Sequence, residues 1–154
     1  FFRRVGRGKD AQDFVLDIAK RDYVPAEAVE LPDFVGAMKR ASRFGRYNTT
    51  MDIFASAQGD AADLMRKVIL GYISYGLNRV GTVVQTPAGV DNIMGFGFNW
   101  APPSVLVDTL GAKRTVALLE KADILVPPVI SAAADAGTKL FDEPNVDLGR
   151  FFFA

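Results

Sequence analysis

Apolar and polar residues alternate along the first part of the chain. Phe1-Phe2-Arg3-Arg4-Val5, Phe14-Val15-Leu16-Asp17-Ile18 and Tyr23-Val24 are separated by the tight polar pieces Gly6-Arg7-Gly8-Lys9-Asp10 and Lys20-Arg21-Asp22. A period near two with turn residues between the runs predicts a small antiparallel β-meander reaching to about Ala26.

From Leu31 to about Gly137 the period lengthens to that of a helix. Leu31, Phe34, Val35, Met38 and Ala41 recur at helical spacing behind Pro32, which a first turn tolerates. A short helix is predicted over 47–57, ending before Gly59. The dominant element is a helix over 60–84. Its apolar stripe is Ala61, Leu64, Met65, Val68, Ile69, Tyr72, Ile73, Gly76, Leu77, Val80, Val83 and Val84. Gly71, Gly76 and Gly81 inside it would each cost about 1 kcal/mol relative to Ala, so close approach of a neighbouring helix is the expected compensation. Thr86 then reads as an N-cap with Pro87 at the first helical position, and Val90, Ile93 and Met94 as a buried stripe before Gly95. After a turn over 95–101, Pro102-Pro103 opens a helix with Val105, Leu106 and Leu110 inward. Gly111 separates it from a helix ending near Ala122, and a last helix follows Pro127-Pro128, closed by Gly137. Residues 139–154 read as a terminal hairpin, with strands at Lys139-Leu140-Phe141 and Arg150-Phe151-Phe152-Phe153.

Composition narrows the chemistry more than it alters this outline. The chain has 154 residues, of which 49% are hydrophobic and 23% charged, which excludes a disordered or collagen-like chain. Eighteen Lys and Arg balance eighteen Asp and Glu, so no net field invites nucleic acid or an anionic membrane. Cysteine and histidine are both absent. Disulfides, thiol nucleophiles, thiolate or imidazole zinc sites and any imidazole base are thereby excluded, which favours a binding or scaffolding role over catalysis. The run from Val68 to Val84, broken by Asn78 and Arg79, is not a membrane span. The lack of cysteine and of a secretory leader is compatible with a cytoplasmic protein. Because the chain starts without Met, inside what reads as a strand, it is expected to be a fragment of a longer polypeptide.

Few motifs carry chemistry. Gly6-Arg7-Gly8-Lys9-Asp10-Ala11 spells a dinucleotide-binding turn, but that mechanism needs a buried strand before it and a helix after it; the flanking pattern favours a hairpin turn. Gly95-Phe96-Gly97-Phe98-Asn99-Trp100-Ala101-Pro102-Pro103 is the most distinctive stretch. It reads either as a helix–helix connection whose aromatics fill the core, or as an aromatic wall facing a ligand or a neighbouring domain. Asp60 and Asp63 suit the start of the long helix, Asp108 is placed to anchor a neighbouring loop, and Arg66-Lys67 reads as a solvated face. Asp142, Glu143 and Asp147 fall in a predicted loop. No paired carboxylates appear.

The aromatic corner also carries a family resemblance. Val90-Asp91-Asn92-Ile93-Met94-Gly95-Phe96-Gly97-Phe98, then Ala101-Pro102, then Leu106-Val107-Asp108-Thr109-Leu110-Gly111 resembles the helical C-terminal domain of L-3-hydroxyacyl-CoA dehydrogenases. Tyr72 to Val84, with Asn78-Arg79, is similar to the long helix of that domain, and Pro127-Pro128 to the Val-Pro-Pro that follows its next helix. Phe1-Phe2-Arg3-Arg4-Val5-Gly6, Leu16-Asp17 and Tyr23-Val24-Pro25 resemble the segment joining two tandem C-terminal domains.

The resemblance implies a mainly α, 6-phosphogluconate-dehydrogenase-C-terminal-like domain over 31–154 with short β-hairpins at both ends, behind a meander linker over 1–30. It would be the second copy of a tandem pair. The family oxidises 3-hydroxyacyl-CoA with NAD in fatty-acid β-oxidation. The His-Glu pair and the NAD site would lie in a missing N-terminal Rossmann domain of the same polypeptide, so no catalytic, cofactor-binding or metal-ligating residue is assigned here. The implied role is non-catalytic, in domain packing, homodimerisation or an acyl-CoA-side surface, with Phe98, Asn99 and Trp100 as the contact residues. The rival reading is a self-association module without a ligand, joined through a face bearing Gly71, Gly76 and Gly81.

Overall fold

The computed structural model describes residues 1–27 and 30–141. The chain divides into two compact units, Phe1–Leu31 and Pro32–Ala154. In the first, strands β1 (Phe2–Val5), β2 (Gln12–Asp17) and β3 (Asp22–Pro25) form an antiparallel sheet in the order β1-β2-β3. Phe2 opposes Val15, which opposes Val24 on the other side, so the apolar members of one face stand in a row. Between β1 and β2 the chain makes a single 3₁₀ turn, Gly8–Asp10. Gly6 adopts φ +90°, and a Cβ there would meet the Asp10 carbonyl at 2.7 Å, so glycine is required for the turn to close. Asp17 receives the amides of Ala19 and Lys20, each at 3.0 Å, and so shapes the β2–β3 turn. These hydrogen bonds, that from Lys20 foremost, hold its carboxyl below the usual range. The G-x-G-x-x-A spelling therefore marks a hairpin that leads into an antiparallel strand, where a dinucleotide site would need a helix.

The second unit is mainly helical. Its elements among the described residues are α1 (Asp33–Arg43), α2 (Tyr47–Ser56), α3 (Asp60–Leu77), α4 (Pro87–Asn92), α5 (Pro103–Leu110), α6 (Ala112–Lys121) and α7 (Pro128–Ala136). Met51 and Phe54 of α2, Leu70, Ile73 and Leu77 of α3, Leu106, Val107 and Leu110 of α5, Leu119 of α6 and Ile130 of α7 make one buried cluster. The inward positions predicted for α5 hold, and Gly137 ends α7 in the left-handed conformation, φ +67°. Polar ties close the joints. The hydroxyls of Ser42 and Thr50 meet at 3.1 Å between α1 and α2, and Ser74 donates to the Leu125 carbonyl at 2.5 Å.

Several expectations need correction. The long helix stops at Leu77, not at Val84. Asn78 turns its Nδ2 back onto the Ser74 carbonyl at 2.9 Å. The Arg79 carbonyl then accepts from Thr82 and Val83, and Gly81 takes φ +85°. The β-branched run Val80, Thr82, Val83 and Val84 disfavours helix, although its apolar residues keep the helical spacing. Gly81 therefore lies in a turn. Gly76 is the glycine with the expected close approach: a Cβ there would meet Val90 at 3.2 Å and Pro103 at 3.3 Å, whereas Gly71 faces open space. The shared glycine face of the rival reading does not exist, since Gly76 is buried inside this chain. On α3 the buried positions include Ala62 and Leu70, while Leu64 and Val68 are exposed. Pro32 stands at the N-cap of α1, one residue before the helix. Lys139-Leu140-Phe141 carries no strand, and the rest of the expected terminal hairpin, with Asp142, Glu143 and Asp147, lies outside the described residues.

Candidate functional site

The corner that joins α4 to α5 is built on two close approaches. Gly76 of α3 lets Val90 and Pro103 sit directly on the helix backbone. Gly89 does the same for the turn before α4, because a Cβ there would meet Val84 Cβ at 2.9 Å. Helix α4 then widens into a π turn, Ile93–Gly97, and the extra residue swings the chain outward. The Trp100 amide donates back to the Met94 carbonyl at 2.9 Å, which closes the loop. Asn99 stands at φ +55°, a left-handed backbone in which a short amide side chain is among the tolerated ones. The Tyr72 hydroxyl donates to the Ala101 carbonyl at 2.8 Å, and its ring meets Trp100 edge-on with centroids 5.4 Å apart.

The result settles which way the aromatics point. Phe98 is 64% exposed and Trp100 58% exposed, with Phe96 also exposed. The corner is therefore an outward aromatic shelf, and the reading in which these rings fill the core fails. Within the expected buried stripe of α4 only Val90 is fully covered; Ile93 is exposed and Met94 half-buried. The three candidate contact residues, Phe98, Asn99 and Trp100, are consecutive on this shelf, and Trp100 is held against Tyr72.

Beneath the shelf lies a residue that the sequence reading did not single out. Asp91 is 3% exposed, and its Oδ1 accepts the Ser104 amide at 3.0 Å. Helix α5 starts at Pro103 behind Pro102 and has no side-chain cap of its own. Asp91 supplies from α4 the acceptor that an N-cap residue normally provides. Its Oδ2 and the Ser104 hydroxyl are both buried without a hydrogen-bond partner. Burial raises the Asp91 carboxyl from 3.8 to about 6, against the opposing pull of the hydrogen bond from the Ser104 amide. Burial, helped by the nearby Asp91 charge, also pushes the Tyr72 phenol up. A sequence signal existed: Ala101-Pro102-Pro103 offers no capping side chain, so the acceptor had to come from elsewhere.

Two more polar residues organise the surroundings. The Asp108 carboxylate accepts the amides of Leu140 and Phe141, each at 2.9 Å, and so anchors the segment after α7 as the sequence suggested. Arg66 is not a solvated cation. Its Nη1 donates to the Phe54 and Ala57 carbonyls at 3.1 and 2.6 Å, satisfying the end of α2, while Nη2 pairs with Asp63. Two clefts of about 420 and 430 Å³ lie elsewhere, one beside Asp108 and Lys139 and one beside Arg66 and Lys121. Among the described residues no cluster of three or more acidic side chains could hold a metal ion. No helix there is long and apolar enough to cross a membrane.

In chemical terms the shelf offers apolar and aromatic area, one amide side chain, and no titratable group of its own. No protein-family model, curated protein or solved structure matches this chain. The class that fold and site define is a mainly helical unit with an exposed aromatic corner, joined to a small antiparallel meander.

Proposed function

We propose that this chain is a non-catalytic part of an NAD-dependent 3-hydroxyacyl-CoA dehydrogenase acting in the cytoplasm in fatty-acid β-oxidation. In this reading residues 31–154 are a 6-phosphogluconate-dehydrogenase-C-terminal-like domain, the second of a tandem pair, and residues 1–30 are the linker before it. A Rossmann domain elsewhere in the polypeptide carries the NAD and the chemistry. Phe98, Asn99 and Trp100 meet the acyl-CoA or the neighbouring domain. The observation that carries the reading is the outward aromatic shelf, on which Phe98 and Trp100 are exposed, Trp100 packs edge-on against Tyr72 and its amide bonds back to Met94. Exposed aromatic rings offer the large apolar area that an acyl or domain contact requires. The family resemblance of the same stretch supplies the choice of ligand.

Calorimetric titration of the chain with acetoacetyl-CoA and with NAD, with molecular mass recorded on the same sample, tests it. Binding of the CoA ester without NAD is expected, and Trp100→Ala should weaken it at least tenfold. If the chain is silent towards the CoA ester, and Trp100→Ala also leaves the full-length enzyme's KM and assembly unchanged, the shelf has neither role.

A further inference from the structure

The corner where α1 turns into α2 carries a cluster of cations without a counter-charge. No acidic residue lies between Asp33 and Asp52, and Lys39, Arg40, Arg43 and Arg46 stand there within eight consecutive positions. On α1, Lys39, Arg43 and Arg40 fall within an arc of about 100°, on the side away from the buried Ala41 and Ser42. Arg46 follows across the turn. All four are exposed, and none takes part in an ion pair among the described residues. Asp52 is already paired with Arg114, and Asp33 lies about 15 Å from Arg43 along the helix. The comparable run Arg3, Arg4, Arg7 and Lys9 is answered in part, since Arg4 pairs with Asp13 and Arg3 lies over the Tyr23 ring.

The corner is also rigid. Gly45 turns the chain at φ +68°, the Arg46 amide donates to the Ala41 carbonyl at 3.0 Å, and the Ser42 and Thr50 hydroxyls meet at 3.1 Å behind the turn. Phe44 is 75% exposed, with the Arg46 guanidinium 5.9 Å from its ring centroid. Local stability does not account for the set. The dipole of α1 favours Arg40 and Arg43 in its last turn, but Arg46 stands at the N-cap of α2, the end where a cation is unfavourable. Lys39 and Arg43, one turn apart, repel each other.

We propose that this corner docks a short acidic peptide segment of a partner protein, with Arg43 and Arg46 pairing its carboxylates and Phe44 receiving an apolar side chain between them. The proposal does not rest on the acyl-CoA reading. Three of the four cations are Arg, whose planar fork grips a carboxylate with two hydrogen bonds. Lys39 and Arg43 are about 6 Å apart along α1, so an extended segment of about four to six residues, rising about 3.3 Å per residue, reaches all four. The balance of charge selects a short partner over a polyanion. The chain has eighteen cations and eighteen acids, so outside this segment fourteen cations face eighteen acids. A nucleic acid or an anionic membrane extends past the patch and meets that acidic remainder, whereas a short segment does not.

Fluorescence anisotropy of a labelled peptide of about eight residues, alternating Glu and Asp around a central Phe, tests the proposal. A dissociation constant on the order of 10 to 100 µM is expected at about 50 mM salt, with binding at least fivefold weaker at about 300 mM. Arg43→Glu/Arg46→Glu should weaken it at least tenfold and Phe44→Ala at least threefold. Lys113→Glu, which reverses an exposed cation on α6, should change it less than twofold. The double reversal should in turn bind the same peptide with Lys in place of its acids. All these side chains are exposed, and circular dichroism verifies folding. Three results would each overturn the proposal, whatever the outcome with CoA esters. They are no binding of the peptide, an equal loss in Lys113→Glu, and tighter binding of an oligothymidylate of about twenty nucleotides or of phosphatidylserine vesicles.

Discussion

Asp91→Asn separates two accounts of the joint between α4 and α5. The wild-type carboxyl is raised from 3.8 to about 6, chiefly by burial. A carboxyl raised in the folded state is held neutral there at pH values where the unfolded chain is ionised. The folded state then binds the extra proton, so this group's contribution favours folding at low pH and is lost as the pH rises from 3.8 through about 6. The whole interval corresponds to about 3 kcal/mol, an upper figure because the site can relax. Asparagine keeps an oxygen for the Ser104 amide, carries no charge, and brings a donor towards the Ser104 hydroxyl, which now lacks a partner. Asp91→Asn should therefore stabilise the helical unit by about 1–3 kcal/mol at pH 8, with the gain vanishing towards pH 4. The assay is urea unfolding of both proteins between pH 4.5 and 8, followed by helical circular dichroism. The quantity of interest is the difference between them, in which titrations common to both cancel. The opposing account treats Asp91 as a charged cap, because a carboxylate at the N-terminus of α5 is favoured by the helix dipole. A variant less stable than wild type at pH 8, with the deficit shrinking as the pH falls, would show that the charge is wanted and that burial has been overweighted.

Three further substitutions probe the packing of the helical unit. Gly76→Ala places a methyl 3.2 Å from Val90 and 3.3 Å from Pro103 and should cost about 1–3 kcal/mol. Gly71→Ala, in open space on the same helix, should gain up to about 1 kcal/mol when measured in dilute solution; equal effects at the two sites would mean that α4 and α5 do not press on Gly76. Asp108→Ala removes the acceptor of both the Leu140 and Phe141 amides. Amide hydrogen exchange at those two positions should accelerate at least tenfold, with α3 protection unchanged; unchanged exchange at Leu140 and Phe141 would show that other contacts hold the segment.

Much of this architecture is legible in the chain, and the misreadings share a physical origin. Alternation with polar turns marks β1 to β3, and Pro and Gly mark the ends of α5, α6 and α7, because those signals are local and steric. Apolar spacing tells which positions lie on one side of a helix and is blind to which side is covered. Leu64, Val68 and Tyr75 obey the period as well as Leu70 and Ile73 do, yet they stand on the opposite face and are exposed. The same blindness extended α3 to Val84: the run Val80 to Val84 keeps the spacing, while the end of the helix is set by Asn78 bonding back to Ser74 and by Gly81 at φ +85°. Asp91 went unseen for a different reason. A lone carboxylate among apolar neighbours reads as surface until one asks what satisfies the first amides of α5, and only the fold brings that helix to within 3.0 Å of it. Phe98, Asn99 and Trp100 stand out by their composition and by the family resemblance of their stretch, and that composition fits a core or a shelf equally well. What separates the two is the π turn Ile93–Gly97, a one-residue excess per turn that rotates the following rings away from the core. It arises where Gly95 and Gly97 leave the backbone little side-chain packing to hold it in α form.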